Sequence, residues 1–330
     1  MKYTIVGAGA IGGTIGAFMT RAGYDVTVVD VSVEHVAAIN EHGLELQGYN
    51  ETFNVQLPAF TPGGTSGPFQ GVVLATKAQG TEAAVEWIRG KLAPDGFVVS
   101  AQNGLNEAVI ERVLGRDRTV GCLVNFSADY LSPGVVHYAG PGAIQVGELS
   151  GLISSRCEEV AKALSEVCPA GVTENIAGML WSKEAYGAML AGTALTDIPM
   201  AECIDGNRQV LAALAREVLC VCTAVGVTPE GFDGFEPNAF IGDDREALDA
   251  SIAKMVARRR GNEKKFSGIW RDIVVRKRQT EVEAHVAPII AEAERQRVEV
   301  PLLRSLLRVM SEVETGRRPL ARENLHRLFD

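Results

Sequence analysis

Lys183 stands in the first turn of a run, "WSKEAYGAMLAGTALTD" (residues 181–197), that otherwise reads as a long, almost uncharged, buried helix. An ammonium is costly to bury, so this side chain either snorkels along its stem to solvent or has a chemical task. Ketone reduction by hydride offers one. The developing alkoxide needs a proton, and an ammonium both stabilises that charge and donates the proton. Partial burial lowers a lysine's pKa towards the working range, making it an acid in one direction and a base in the other. The same cation would attract an anionic 2-oxo acid.

Hydride chemistry also needs a carrier. "GAGAIGG" (7–13) places the pattern G-x-G-x-x-G directly after the first strand and before a helix. Gly7 permits the tight turn, Gly9 lets backbone approach a pyrophosphate, and Gly12 allows close helix–strand packing. Ala10 and Ile11 open a helix whose free N–H groups suit phosphate. Asp30 closes the next strand, where a carboxylate accepts hydrogen bonds from an adenosine ribose and repels a 2′-phosphate. The continuation "VSVEH" (31–35) carries no cation. NAD is therefore the expected cofactor, with NADP as the alternative if a basic side chain arrives from elsewhere. Lys77 and Thr81 in "ATKAQGT" (75–81) and Asn103 in "SAQNGLNE" (100–107) fall at the carboxyl ends of later strands, where open α/β sheets bind ligands.

The elements that must position these residues are legible in outline. Short β-branched runs at 2–7, 25–30, 71–77 and 96–103 alternate with helical periodicity at 11–22 and 81–91, and shorter strands follow around 120–126, 135–138 and 143–146. Alternation of this kind predicts an α/β fold with a Rossmann-type doubly wound parallel sheet. After Gly178 helical periodicity dominates, through 179–196, 209–225, 244–260, 269–297 and 301–314. A boundary near 178 then separates a dinucleotide-binding domain (1–178) from an all-helical substrate and catalytic domain (179–330).

Composition narrows the function classes. The chain has 330 residues and a formal net charge of -9, which offers no broad basic surface for nucleic acid. The basic stretches "ARRRGNEKK" (257–265) and "RDIVVRKR" (271–278) read as solvated helix faces or ligand-facing positions. Six scattered cysteines, without a CxxC pair or a histidine cluster, suit reduced core thiols and supply no metal site. The chain opens directly in a strand, and no apolar run approaches the ~18 residues that cross a bilayer. A cytoplasmic protein without a membrane partner is expected.

Five stretches in order resemble the ketopantoate reductases (2-dehydropantoate 2-reductases): "GAGAIGG", "TKAQGT" (76–81), "QNGL" (102–105), "WSK" (181–183) and "SGIWRDIVVRKRQTE" (267–281). The resemblance spans nearly the whole chain. It implies that Asn103 contacts the nicotinamide end and the substrate, that Lys77 lines the cofactor cleft, and that Lys183 is the catalytic acid. It further implies that Ser267 holds the substrate carboxylate, that Glu281 anchors the nicotinamide ribose, and that the helical domain closes over the cofactor. The β-hydroxyacid dehydrogenases, which also combine a dinucleotide domain, a helical domain and a lysine, fit "SGIWRD" and "TKAQGT" less well.

Departures from that family matter too. It usually carries asparagines one and two turns after the lysine and a third near the helix end, where this chain has Gly187, Ala191 and Ala201. It typically uses NADPH, whereas Asp30 favours NAD. The expected activity is interconversion of a 2-oxo acid and a 2-hydroxy acid with a nicotinamide cofactor, in a pocket rebuilt to be wider and more apolar. The alternatives are an NAD-linked dehydrogenase of a non-pantoate 2-hydroxy acid working oxidatively, and a non-catalytic NAD(H)-sensing regulator. The helical half also offers surface for a homodimer.

Overall fold

The computed structural model of the protein describes residues 1–261 and 264–329 and divides the chain into two compact units, Met1–Ile176 and Ala177–Asp330. Unit 1 alternates strands and helices: β1 (Lys2–Val6), α1 (Ala10–Arg21), β2 (Asp25–Val29), α2 (Val33–His42), β3 (Leu44–Gly48), β4 (Thr52–Val55), β5 (Ala59–Phe60), β6 (Phe69–Leu74), α3 (Thr81–Arg89), β7 (Leu92–Ser100), α4 (Glu107–Leu114), β8 (Thr119–Val124), β9 (Ser127–Ser132), β10 (Val135–Gly140), β11 (Ile144–Glu148), α5 (Ser155–Leu164) and β12 (Ala170–Val172). The main sheet runs β12-β11-β8-β7-β6-β1-β2-β5. Strands β5, β2, β1, β6, β7 and β8 are mutually parallel, and β11 turns antiparallel to β8.

The β-branched runs form this sheet because both of its faces are covered. Ile5, Val28, Val73 and Val99 point to one face, with Ile15 and Met19 of α1 in the same core. Their neighbours Val6, Val29, Val72, Leu74 and Val98 point to the other, against Val85 and Ile88 of α3 and Ile110 of α4. Period-two alternation thus feeds two cores from one set of strands.

A second sheet, β4-β3-β10-β9, is an addition to the expected fold. It seats on α1 through Phe18, whose ring meets Phe53 of β4 at 5.4 Å and Tyr138 of β10 at 5.2 Å, both edge-on. The run at 135–138 therefore belongs to this sheet, not to the parallel one.

Unit 2 is helical: α6 (Ile176–Thr193), α7 (Met200–Gly206), α8 (Arg208–Ala224), α9 (Pro237–Ile241), α10 (Arg245–Arg260), α11 (Gly268–Val274), α12 (Val282–Gln296), α13 (Pro301–Glu314) and α14 (Glu323–His326). Glu217 of α8 caps α13 by accepting from the N–H groups of Leu302 and Leu303, at 2.9 and 2.8 Å. The periodicity read as one helix over 269–297 is broken after Val274. Arg276 and Arg278 fold back on the buried carboxylate of Asp272, each at 2.9 Å, and Lys277 takes a positive φ of 49°. The Thr280 hydroxyl then accepts from Val282 N–H at 3.2 Å and starts α12. Charge pairing and a local cap outweigh helical periodicity here.

Of the basic stretch 257–265, residues 262 and 263 lie outside the described residues. Arg258 pairs with Asp233 at 2.9 Å and Arg260 with Asp205 at 3.0 Å, so these two cations sit on a solvated face. Among the described residues no helix is long and apolar enough to cross a membrane, and no group of His, Cys, Asp and Glu could hold a metal ion.

Candidate functional site

Unit 1 brings Gly7, Gly9, Ala10, Ile11, Gly12 and Asp30 together at the carboxyl ends of β1 and β2. Gly7 has φ +93°, a backbone state that L side chains rarely adopt. A Cβ on Gly12 would stand 1.9 Å from the Gly7 carbonyl oxygen, so α1 can lie this close to β1 only with glycine there. A Cβ on Gly9 would meet nothing within 4 Å, which leaves open space over the loop. The first helical bond of α1 runs from Gly13 N–H to Gly9 O, no side chain caps the helix, and its first turn has no acidic residue. The α2 and α5 N-termini, by contrast, are capped by Ser32 and Ser154. Open space, uncapped N–H groups and an unopposed dipole fit an anionic group such as a pyrophosphate.

Asp30 closes the loop. Its Oδ2 accepts from Ala8 N–H at 2.8 Å and its Oδ1 from Ser32 N–H at 2.9 Å. An ionised carboxylate has about four acceptor sites, so each oxygen keeps a lone pair for a ribose hydroxyl. Burial, and then the charges of Asp30 and Glu34, hold the nearby Tyr130 phenol above its ordinary pKa. Two carboxylates therefore share this corner. The sequence carries no lysine or arginine between Arg21 and Lys77 to answer them.

Lys77 and Asn103 are both exposed, on the loops that leave the adjacent strands β6 and β7. A buried brace joins the two loops. The Gln102 amide donates to Thr76 O at 2.8 Å and to Thr81 Oγ1 at 2.9 Å; Thr81 Oγ1 donates to Asn106 Oδ1 at 3.1 Å; and the Asn106 amide donates to Asn103 O at 2.7 Å. The sequence places Thr81 with Lys77 where ligands bind, but it is 1% exposed and positions the loops from below. Gln102 and Asn106, which sequence reasoning passed over, carry the brace. Their signal was the amide-rich "QNGLN" itself.

In unit 2, Lys183 lies on α6 with Gly187 and Leu190. These three are partly exposed, whereas the flanking Trp181 and Ser182 and the intervening Glu184, Ala185, Tyr186, Ala188 and Met189 are buried. Spacings of four and three residues put the three on one face, so the open stripe of the helix passes through the lysine. A Cβ on Gly187 would meet nothing within 4 Å. Ala191 is 2% exposed and packed into the protein, and Ala201 on α7 is also buried; the vacancy along this face rests on Gly187.

Glu281 precedes α12, and one turn later His285 pairs through Nδ1 with Glu184 Oε2 at 3.5 Å. The α12 start is thereby brought beside the α6 turn that carries Lys183. Ser267 is the N-cap of α11 and accepts from Trp270 N–H at 3.1 Å; it is 5% exposed. A buried tyrosine, Tyr186, follows Lys183 by one turn and accepts from Arg259 Nε of α10. Burial holds its phenol above the ordinary pKa against the pull of that guanidinium.

The chain matches the family described as ketopantoate reductase PanE/ApbA over residues 3–151, and that family's C-terminal part over residues 175–314. A 2-dehydropantoate 2-reductase of Pyrococcus horikoshii is 33% identical over 186 residues, 56% of this chain and 60% of that protein. The chain thus aligns with about three-fifths of that relative's length. One from Archaeoglobus fulgidus is 28% identical over 324 residues, 96% of this chain and 98% of the relative. Among solved structures, D-mandelate dehydrogenase with NADH and anilino(oxo)acetate superposes with a TM-score of 0.83 at 22% identity, covering 96% and 99% of the two chains. That likeness is one of fold.

Proposed function

The chain belongs to the ketopantoate reductase family, and on that premise we propose that it is an NAD-linked oxidoreductase interconverting a 2-oxo acid and a 2-hydroxy acid. The observation that carries the reading is Lys183 on a partly open stripe of a largely buried helix, one turn from the vacancy at Gly187. A nicotinamide cofactor, when bound, supplies or takes the hydride. Gly7, Gly9, Ala10, Ile11, Gly12 and Asp30 would hold its pyrophosphate and adenosine ribose, and Lys77, Asn103 and Glu281 would contact its remaining part. The Ser267 hydroxyl accepts from Trp270 N–H and keeps its own proton to donate to the substrate carboxylate. Lys183 as ammonium stabilises the developing alkoxide and gives it a proton; in the oxidative direction the amine takes that proton back.

The substrate class follows from Gly187. An amide at that place would orient a polar substrate tail, and its loss leaves room for a larger, more apolar one. Ketopantoate itself is then a poor substrate.

Asp30 sets the cofactor preference. Losing a hydrogen bond to a charged group costs ~1.5–3 kcal/mol, so Asp30→Ala should weaken NADH binding by roughly ten- to hundredfold. Asp30→Asn retains one acceptor oxygen and should lose less affinity while narrowing the preference for NADH over NADPH. Titration of both cofactors against the three proteins tests this. A wild-type protein that binds NADPH more tightly than NADH contradicts the assignment.

A further inference from the structure

Ala8, between Gly7 of the tight turn and Gly9 of the pyrophosphate approach, is wholly buried and has both its polar groups held by side chains. Its N–H donates to Asp30, and its carbonyl oxygen lies 2.8 Å from Nε2 of His35. His35 sits in the first turn of α2 and is 1% exposed. Its other ring nitrogen, Nδ1, accepts from Gly134 N–H at 2.8 Å, in the turn between β9 and β10. A backbone N–H only donates and a carbonyl only accepts, so the ring is the neutral tautomer with its proton on Nε2. Tyr130 of β9 closes over it edge-on at 5.1 Å.

This contact bears on Gly9. The Ala8 carbonyl and the Gly9 N–H belong to one planar trans peptide and point in opposite directions. Holding the oxygen against a buried ring turns the Gly9 N–H away from the protein interior, at a residue that is itself partly exposed. Gly13 completes the arrangement, because a Cβ there would stand 2.7 Å from the Ala8 oxygen and 2.8 Å from Val136 of β10. The last glycine of "GAGAIGG" thus makes room for this carbonyl and for the second sheet.

We infer that His35 is a positioning residue for the dinucleotide: its Nε2–H locks the Ala8–Gly9 peptide in the orientation that presents Gly9 N–H to the pyrophosphate, and the second sheet steadies the ring through Gly134. The inference rests on the dinucleotide reading of unit 1.

Two near-isosteres separate positioning from mere structural support. In His35→Gln the amide nitrogen takes the place of Nε2 and can still donate to Ala8 O, while the Gly134 bond is lost. In His35→Asn the amide oxygen takes the place of Nδ1 and can still accept from Gly134, while the Ala8 bond is lost. NADH dissociation constants would be measured for the wild type and both variants, with thermal midpoints to confirm folding. Hydrogen exchange of the 7–9 segment without cofactor supplies a readout independent of binding. The Asn variant should bind NADH about tenfold more weakly and exchange faster at 7–9, as expected for a buried carbonyl left without a partner. The Gln variant should recover affinity to within about threefold of wild type. Equal NADH affinity and equal exchange in the two variants would overturn the assignment. A wild type that binds neither NADH nor NADPH would instead overturn the dinucleotide reading beneath it.

Discussion

Lys183→Ala should lower turnover on the best 2-oxo acid by at least the ~10²-fold typical of lost general acid–base catalysis, with NADH affinity nearly unchanged. The two halves of that expectation have separate origins. The glycine loop and Asp30 belong to unit 1, and the substitution leaves both sequences in place. Lys183 belongs to the partly exposed stripe of α6, and alanine is the best helix former, so the helix itself should persist. The loss should therefore appear in kcat and not in cofactor binding or in the thermal midpoint. Near-normal turnover would make Lys183 a snorkelling lysine with no part in the chemistry.

The second large effect concerns substrate choice. Wild type should use ketopantoate roughly ten- to hundredfold less efficiently than a 2-oxo acid with a bulkier apolar tail, because burying the ketopantoate hydroxyl without a partner costs ~1–3 kcal/mol. Gly187→Asn should reverse much of that. A side chain at 187 meets no protein atom within 4 Å at its Cβ, so the new amide enters open space one turn from Lys183. Glycine is among the poorest residues in a helix interior, so the substitution carries no propensity penalty. The measurement is kcat/KM for the two acids in wild type and variant. A ratio that favours ketopantoate in wild type, or that the variant leaves unmoved, contradicts the account of the vacancy.

Much of this could be read from the sequence, for identifiable reasons. The parallel strands were legible because each is buried on both faces and so appears as a continuous β-branched run, as in "YTIV" and "VTVV". Strands β3, β4 and β9 were not. "LELQG", "TFNV" and "SADYLS" are short, mix polar with apolar residues and owe their pairing to one another and to α1. The helix α2 was hidden because its buried face is His35, Val36 and Ile39, and a histidine does not register as apolar. The break in 269–297 depends on two arginines returning to Asp272, a pairing that periodicity does not encode.

The site divides in the same way. The roles of Gly7, Gly9 and Gly12 follow from spacing alone, since a tight turn, an open approach and a close helix–strand contact are local requirements. Asp30 was visible as the end of a strand, but its grip on Ala8 and Ser32 was not. His35 and Gly13 act on backbone groups, which every residue possesses, so they leave no paired signal in the sequence, whereas the Gln102 brace shows only as the amide-rich "QNGLN". Ala191 was placed on the lysine's face by spacing, yet packing buries it and leaves Gly187 and Leu190 as the partly open neighbours.

The most direct test of the central claim is steady-state oxidation of NADH by the wild-type protein across a panel of 2-oxo acids, with the matching 2-hydroxy acids and NAD in reverse and NADPH and NADP in parallel. The predicted result is sustained turnover that is faster with NADH than with NADPH and most efficient on a 2-oxo acid with an apolar tail. NADH binding without turnover on any member of the panel, in either direction, would contradict it and leave a dinucleotide-binding protein that performs no such reaction.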